Sequence, residues 1–436
     1  MYKNKTGQRA GNKRSTCNIR RIGTHDRTRW PAAFGTWTAL LRRIRGMVAC
    51  FAALALAGCT NLSSPPSGSS LAGYYGPGTP ELTIDHHSSD QPVLYPVLYG
   101  TNRKPVYGPS NKVPATYAGE RDRKLHYGRV FVSIPKHHRI GSQGSWWGTM
   151  TGTDPFLRIE RIDEMADRDA FLALARRALG SVTGPQDGYV VVYVHGYNNS
   201  FDDAAIRAAQ LGADLDIPPN HMMLFSWPAL HDVLKYTIDE ATIDASEIFL
   251  RQFLIDVAAH VAQGRKIHLI AHSMGNRALL RVVDALATDP ATSSIKFGQI
   301  ILAAADVDRE LFGTLGGSYV KSSDRTTVYL SPYDFAVGLS SNVVHDYPRV
   351  GCGDKPQVDV PGIANVVSTL PDDFPSHGYF GDTSLILADV KNLLLRNTPA
   401  RSSAGWARFP TYWQVGNAPV ASRVVCTTRN TLTISP

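Results

Sequence analysis

Ser273 stands in the run Ile270-Ala271-His272-Ser273-Met274-Gly275-Asn276. It lies between residues 267–271, whose apolar run reads as a buried strand, and residues 275–286, which have helical spacing. A serine hydroxyl is a weak nucleophile until a neighbouring base takes its proton. A sharp strand-to-helix turn can present it, provided small residues lie two before and two after. Gly275 meets that need. Ala271 stands where glycine is usual, a departure that remains sterically small. The helix that starts here aims its N-terminus at negative charge developing on a carbonyl oxygen. Attack of Ser273 on an acyl carbon is the chemistry this run allows. An ordinary strand–helix turn with Ser273 as a cap is the competing view.

The flanking segments could hold such a turn. Residues 189–194 are a continuous apolar run, as expected of a parallel strand buried on both faces. Residues 201–215 have the spacing of an amphipathic helix, with Ser200 and Asp203 as a capping-box-like pair at its start. Residues 221–227 read as the next strand. Residues 239–262 read as a long helix, with Phe249, Leu250, Phe253, Leu254, Val257 and Val261 on one face and Gly264 as the stop. After Ser273, residues 300–303, 327–330 and 363–367 read as further strands, and 382–395 as a final helix. This alternation predicts an α/β fold: a mostly parallel, doubly wound sheet with helices on both faces. Upstream, 93–99 and 129–134 read as strands and 164–179 as a helix. Residues 397–436 read as an irregular C-terminal extension.

Four runs, that of Ser273 among them, carry a resemblance. Tyr193-Val194-His195-Gly196-Tyr197-Asn198-Asn199-Ser200-Phe201, Phe225-Ser226-Trp227-Pro228, Ala271 to Asn276 and Ala304-Ala305-Asp306-Val307-Asp308 resemble an uncharacterised bacterial α/β-hydrolase family of the esterase/lipase superfamily. Tyr99-Gly100-Thr101-Asn102-Arg103 and Leu125-His126-Tyr127-Gly128 are similar to its N-terminal portion. The resemblance spans roughly residues 93–396 and implies the α/β-hydrolase fold. It implies an oxyanion hole with one backbone N–H from the loop after His195-Gly196, at Tyr197, and one from Met274. The partners of Ser273 should follow in the order acid, then histidine. Asp334, after the second strand beyond that of Ser273, is the favoured acid. Asp306, one strand earlier, is the alternative, or else a loop-bonding aspartate. His377, in a Gly-flanked loop before the final helix, is the expected base, with His345 its rival.

Composition narrows the partners. The formal charge is +8, but residues 1–46 hold 12 Lys and Arg against the single acid Asp26, leaving 33 basic and 36 acidic residues in the rest. The electrostatic case for nucleic acid leaves with that segment. Arg42, Arg43 and Arg45 precede the apolar run 47–57, which is too short to span a bilayer. The run ends in Leu56-Ala57-Gly58-Cys59 and resembles a bacterial lipobox, in which the cysteine is acylated and becomes the new N-terminus. A Ser/Pro/Gly-rich tether follows. The expected organisation is an N-terminal extension and lipoprotein signal over 1–58, a tether over 59–90, a hydrolase domain over 91–396 and the extension over 397–436. Processing at Cys59 would leave Cys352 and Cys426, an even pair that suggests a disulfide in an oxidising envelope compartment.

No phosphate loop, Cys-x-x-Cys or His-Glu-x-x-His stands in the chain. The adjacent pairs His86-His87 and His137-His138 would point to opposite faces of a strand, so no metal and no cofactor are expected. Trp146 and Trp147 could line an acyl pocket or serve structure. Residues 236–245 could edge a lid or simply begin a helix. The expected function is a cell-envelope serine hydrolase, esterase- or lipase-like, acting on a small-molecule or lipid ester and reaching the membrane through its lipid anchor. The alternatives are a non-catalytic envelope lipoprotein that keeps the fold as a binding scaffold, or an acyltransferase or thioesterase.

Overall fold

The computed structural model describes residues 92–417 apart from 109–113, 146–148, 151–152, 181–187, 233, 354–358 and 371–376. Cys59, the signal and tether before residue 92, His86-His87, Trp146, Trp147 and Cys426 lie outside the described residues. The strands are β1 (Val93–Tyr107), β2 (Pro114–Ile134), β3 (Arg158–Glu164), β4 (Tyr189–Val194), β5 (Met222–Ser226), β6 (Lys266–His272), β7 (Phe297–Ala303), β8 (Ser323–Leu330), β9 (Ile363–Ser368), β10 (Trp406–Arg408) and β11 (Trp413–Val415). Among the described residues they form one sheet in the order β10-β11-β9-β8-β7-β6-β4-β5-β1-β2-β3. The block from β11 to β1 is parallel; β1–β2, β2–β3 and β10–β11 are antiparallel.

The central strands explain the two layers. Every residue of β4 is buried. Val190, Val192 and Val194 join one apolar cluster, and Tyr189, Val191 and Tyr193 join the other. Alternate side chains of a strand point to opposite faces, so each face must be covered. One face is covered by α1 (Arg168–Leu179), α3 (Tyr236–Asp256) and α4 (Gly275–Thr288), through residues such as Phe171, Phe253 and Leu279. The other is covered by α2 (Phe201–Asp214) and, further along the chain, the helix Ser384–Arg396, through Ala204, Ala208, Ile386 and Val390. At the start of α2, Ser200 accepts from the Asp203 N–H, and the Asp203 carboxylate accepts from the Ser200 N–H, closing a full capping box.

Short helices fill the later connections: α5 (Arg309–Leu315), α6 (Gly317–Ser322), α7 (Phe335–Leu339) and α8 (Tyr379–Asp382), before α9 (Ser384–Arg396). None of these four has a length of apolar periodicity that a sequence pattern could reveal.

Three segments differ from their sequence pattern. The expected helix over 164–179 begins only at Arg168, capped by Asp167. The preceding Arg158–Glu164 is strand β3, because β2 offers it a backbone partner. The long helix begins at Tyr236 and ends in a π-helical turn over Val257–Val261. Residues 397–436 are not wholly irregular: Trp413–Val415 pairs with Val366–Ser368 and carries β10 beside it. A sheet edge can order a three-residue segment that has no pattern of its own.

β1 and β2 matter for the site. β1 pairs with β5 only from Leu98 to Thr101, against Met223 to Ser226. Beyond Thr101 it therefore continues past the carboxyl end of β5, the side on which parallel α/β sheets carry their sites. Among the described residues no helix is long and apolar enough to cross a membrane.

Candidate active site

Ser273 follows β6 directly and adopts a left-handed backbone conformation, φ 51°. Non-glycine residues rarely do so, and the surroundings must hold them there. The Ser273 N–H donates to Ala303 O at 2.9 Å. The Asn276 side-chain amide donates to Ala271 O, Ser273 O and Ala303 O at 3.0–3.2 Å, so one side chain ties the turn to β7. Gly275 is required by space: a Cβ there would lie 2.5 Å from His195 O and 2.8 Å from Val194 O. Ala271 is accommodated as a fully buried member of β6 between Val194 and Leu302.

The loop after β4 closes on this turn. A Cβ on Gly196 would sit 2.8 Å from Ser273 Cβ and 2.8 Å from His272 Nδ1, so glycine lets the two backbones approach. Tyr197, the next residue, donates its hydroxyl to Asp232 O at 3.1 Å. Met274 is buried at the N-terminus of α4, where no side chain caps the helix. First-turn N–H groups have no acceptor inside their helix, and the helix dipole adds positive potential at that end.

His377 Nδ1 lies 2.9 Å from both carboxylate oxygens of Asp334. Asp334 is fully buried after β8, and its Oδ1 also accepts from the Val337 N–H, capping α7. His377 stays one-fifth exposed. Its ring packs on His272, 4.7 Å between centroids, and its carbonyl is 3.2 Å from His272 Nε2. Burial, and then the neighbouring His377, hold the His272 imidazole well below its ordinary range. A neutral His272 can therefore donate to the His377 carbonyl and bind the His377 loop to the residue just before Ser273.

Asp306 also reaches the turn, but through its backbone: its N–H donates to Ser273 O at 3.2 Å. Its carboxylate is turned elsewhere. It accepts from the Tyr236 hydroxyl and from Ser340 Oγ (2.7 Å), with Arg349 Nε at 3.5 Å. His345 is directed to a third acid, with Nε2 2.8 Å from Glu240 Oε1. The structure thus brings His377 to Asp334 and leaves Asp306 and His345 in a separate network.

Cys352 is disulfide-bonded. Its backbone pairs in a parallel β-bridge with that of Ser331, three residues before Asp334, so Cys352 lies beside the Asp334 loop; the expected partner Cys426 is outside the described residues. His138 Nε2 lies 2.7 Å from Asp214, and no His, Cys, Asp and Glu group suited to a metal occurs among the described residues.

The sequence pattern gives His272 and Asn276 no role of their own and places Tyr236 only at a lid edge or a helix start. Each acts through a partner at least 27 positions away, apart from Asn276's own-turn contacts, and pattern alone cannot show that.

Residues 175–362 match the model of a family described as "Alpha/beta hydrolase of unknown function (DUF900)". The chain has the α/β-hydrolase fold. The match contains Ser273, Asp306 and Asp334 and ends before His377. No curated protein matches the chain.

Proposed function

We propose that this α/β hydrolase is a serine hydrolase of carboxylic esters, esterase- or lipase-like, that works through a covalent acyl-enzyme. The observation that carries the reading is the His377–Asp334 contact, with the His377 carbonyl 3.2 Å from Nε2 of His272, the residue next to a left-handed Ser273. In this reading Ser273 Oγ attacks the acyl carbon while His377 Nε2 takes its proton. The carbonyl oxygen becomes an oxyanion facing the N–H groups of Tyr197 and Met274. His377 then returns the proton to the departing alkoxide, leaving an ester on Ser273. A water, deprotonated by the same imidazole, releases the acid and restores the serine. Asp334 keeps the imidazole in the tautomer with its proton on Nδ1 and stabilises its charged form. No cofactor enters these steps. A thiol ester, or an acceptor alcohol in place of water, would use the same intermediate.

An apolar acyl group is supported by exposed apolar side chains beside the Asp306 network, whose Asp306 N–H donates to Ser273 O. Leu234, Ile238, Val343 and Tyr347 are exposed, and they flank Tyr236 and His345, whose rings lie 5.8 Å apart.

A fluorophosphonate probe tests the reading most directly. Wild-type protein is expected to gain one adduct on the peptide containing Ser273, with none in Ser273→Ala. Folded wild-type protein that stays unlabelled would sink the proposal and favour a binding scaffold.

We also propose an envelope location, with Cys59 as the lipid attachment point, on the strength of Leu56-Ala57-Gly58-Cys59 and the tether. Cys59→Ser is expected to shift the protein into the soluble fraction or to leave it unprocessed. Membrane fractionation with intact mass spectrometry decides, and an unchanged mass and membrane fraction would exclude lipidation at that residue.

A further inference from the structure

Arg103 lies in β1 just past its pairing with β5 and is completely buried. Its donors go to neutral acceptors: Nε to Ser226 Oγ (2.9 Å), NH1 to Ala229 O (3.0 Å) and Ala118 O (3.3 Å), NH2 to Asn199 O (2.7 Å). The same NH2 group is 3.4 Å from His195 Nε2. Arg103 thus grips the loop after β4 at both ends, residues 195 and 199, with Tyr197 between. Burial lowers its pKa to about 9, opposed by Asp239, Asp203 and Asp202, so it stays a cation at neutral pH.

His195 gives this grip a consequence. Its ring is fully buried and stacked on Trp227, 5.1 Å between centroids and 8° from parallel. Burial, and next Arg103, push its pKa to about 3, so it carries one proton on one nitrogen. Nδ1 is 2.8 Å from Gly196 O and Nε2 is 3.1 Å from Trp227 O, so either carbonyl could take that proton. Arg103 has only N–H groups to offer. Placed at Nε2, it needs a lone pair there, and Ser226 Oγ at 3.3 Å can donate to the same atom. The proton therefore belongs on Nδ1, donated to Gly196 O. In a planar trans peptide the carbonyl and the following N–H point in opposite directions. Fixing Gly196 O toward His195 turns the Tyr197 N–H away from it.

We infer that Arg103 and His195 are a positioning pair that sets the Tyr197 peptide N–H as an oxyanion donor. The inference rests on the serine-hydrolase reading above. Arg103 touches no reacting atom; it acts through the tautomer of His195 and the plane of one peptide.

Arg103→Met and Arg103→Lys test it, with turnover of a short-chain p-nitrophenyl ester and 15N-histidine NMR read on the same full-length samples. Losing one oxyanion donor lowers kcat by about 100-fold or more. Arg103→Met is expected to show a fall of that order with KM nearly unchanged, and the His195 proton is expected to move from Nδ1 to Nε2. Lysine keeps the charge but not the planar fork, so it is expected to rescue kcat only in part. A folded Arg103→Met with wild-type kcat, or a fall in kcat with the His195 proton still on Nδ1, overturns the inference. If Arg103→Met does not fold, the same two readouts on Arg103→Lys and the milder Ser226→Ala decide: kcat must fall together with the tautomer shift. If wild-type protein neither turns over the ester nor takes the fluorophosphonate, the hydrolase reading fails by itself. The NMR readout still judges the Arg103–His195 pairing in that case.

Discussion

Ser273→Ala is expected to lower kcat on a short-chain ester by about five to six orders of magnitude, leaving only binding and oxyanion-hole catalysis. The alanine keeps the backbone of the turn, which is held by Ala303 O and the Asn276 amide rather than by the serine hydroxyl. Folding should therefore survive, and thermal melting should confirm it. His377→Ala is expected to cost about as much, and the double variant hardly more, because nucleophile and base act as one unit. Additive losses in the double variant would mean that the two side chains work independently. Wild-type turnover in both single variants would place the activity at another site.

Asp334→Asn is the second large effect, expected at about four orders of magnitude in kcat. The carboxylate accepts from His377 Nδ1 with both oxygens at 2.9 Å, and an amide can offer only one oxygen there. If its nitrogen faces the imidazole, the proton moves to Nε2, and His377 can no longer accept from Ser273. Stability should change little, because asparagine caps a helix as well as aspartate, and the Val337 N–H needs only one oxygen. Asp306→Asn is expected to reduce kcat far less. Its carboxylate serves Tyr236, Ser340 and Arg349 and is not bonded to His377. Steady-state kinetics on both variants, normalised to folded protein, separates the two acids. A large loss in Asp306→Asn with near wild-type turnover in Asp334→Asn would transfer the acid role to Asp306.

The amino-acid sequence by itself determined the parallel α/β layering and the strand-to-helix turn at Ser273. These depend on residues a few positions apart. The run 189–194 is apolar at every position, which suits a strand covered on both faces. Gly275 lies two residues from Ser273, and the Ser200–Asp203 cap spans three. The lone mismatch, Ala271, did not hide the turn, because a methyl group fits between the neighbouring strands.

Only the tertiary structure decided which carboxylate meets His377, since Asp306 and Asp334 both lie in loops that follow strands of the same block, β7 and β8. The deciding contact joins residues 43 positions apart, and the contacts that occupy Asp306 come from residues 34 and 70 positions away. The strands β3, β10 and β11 at the two ends of the sheet were equally invisible, because their order comes from backbone partners on another strand. Arg103 could be quoted from the sequence only as part of a motif. Its contact with His195 crosses 92 positions and exists because β1 runs on past β5 to pass beneath the loop after β4. Local patterns specify elements, whereas side-chain pairing across a sheet depends on register and strand order, which no short window of sequence contains.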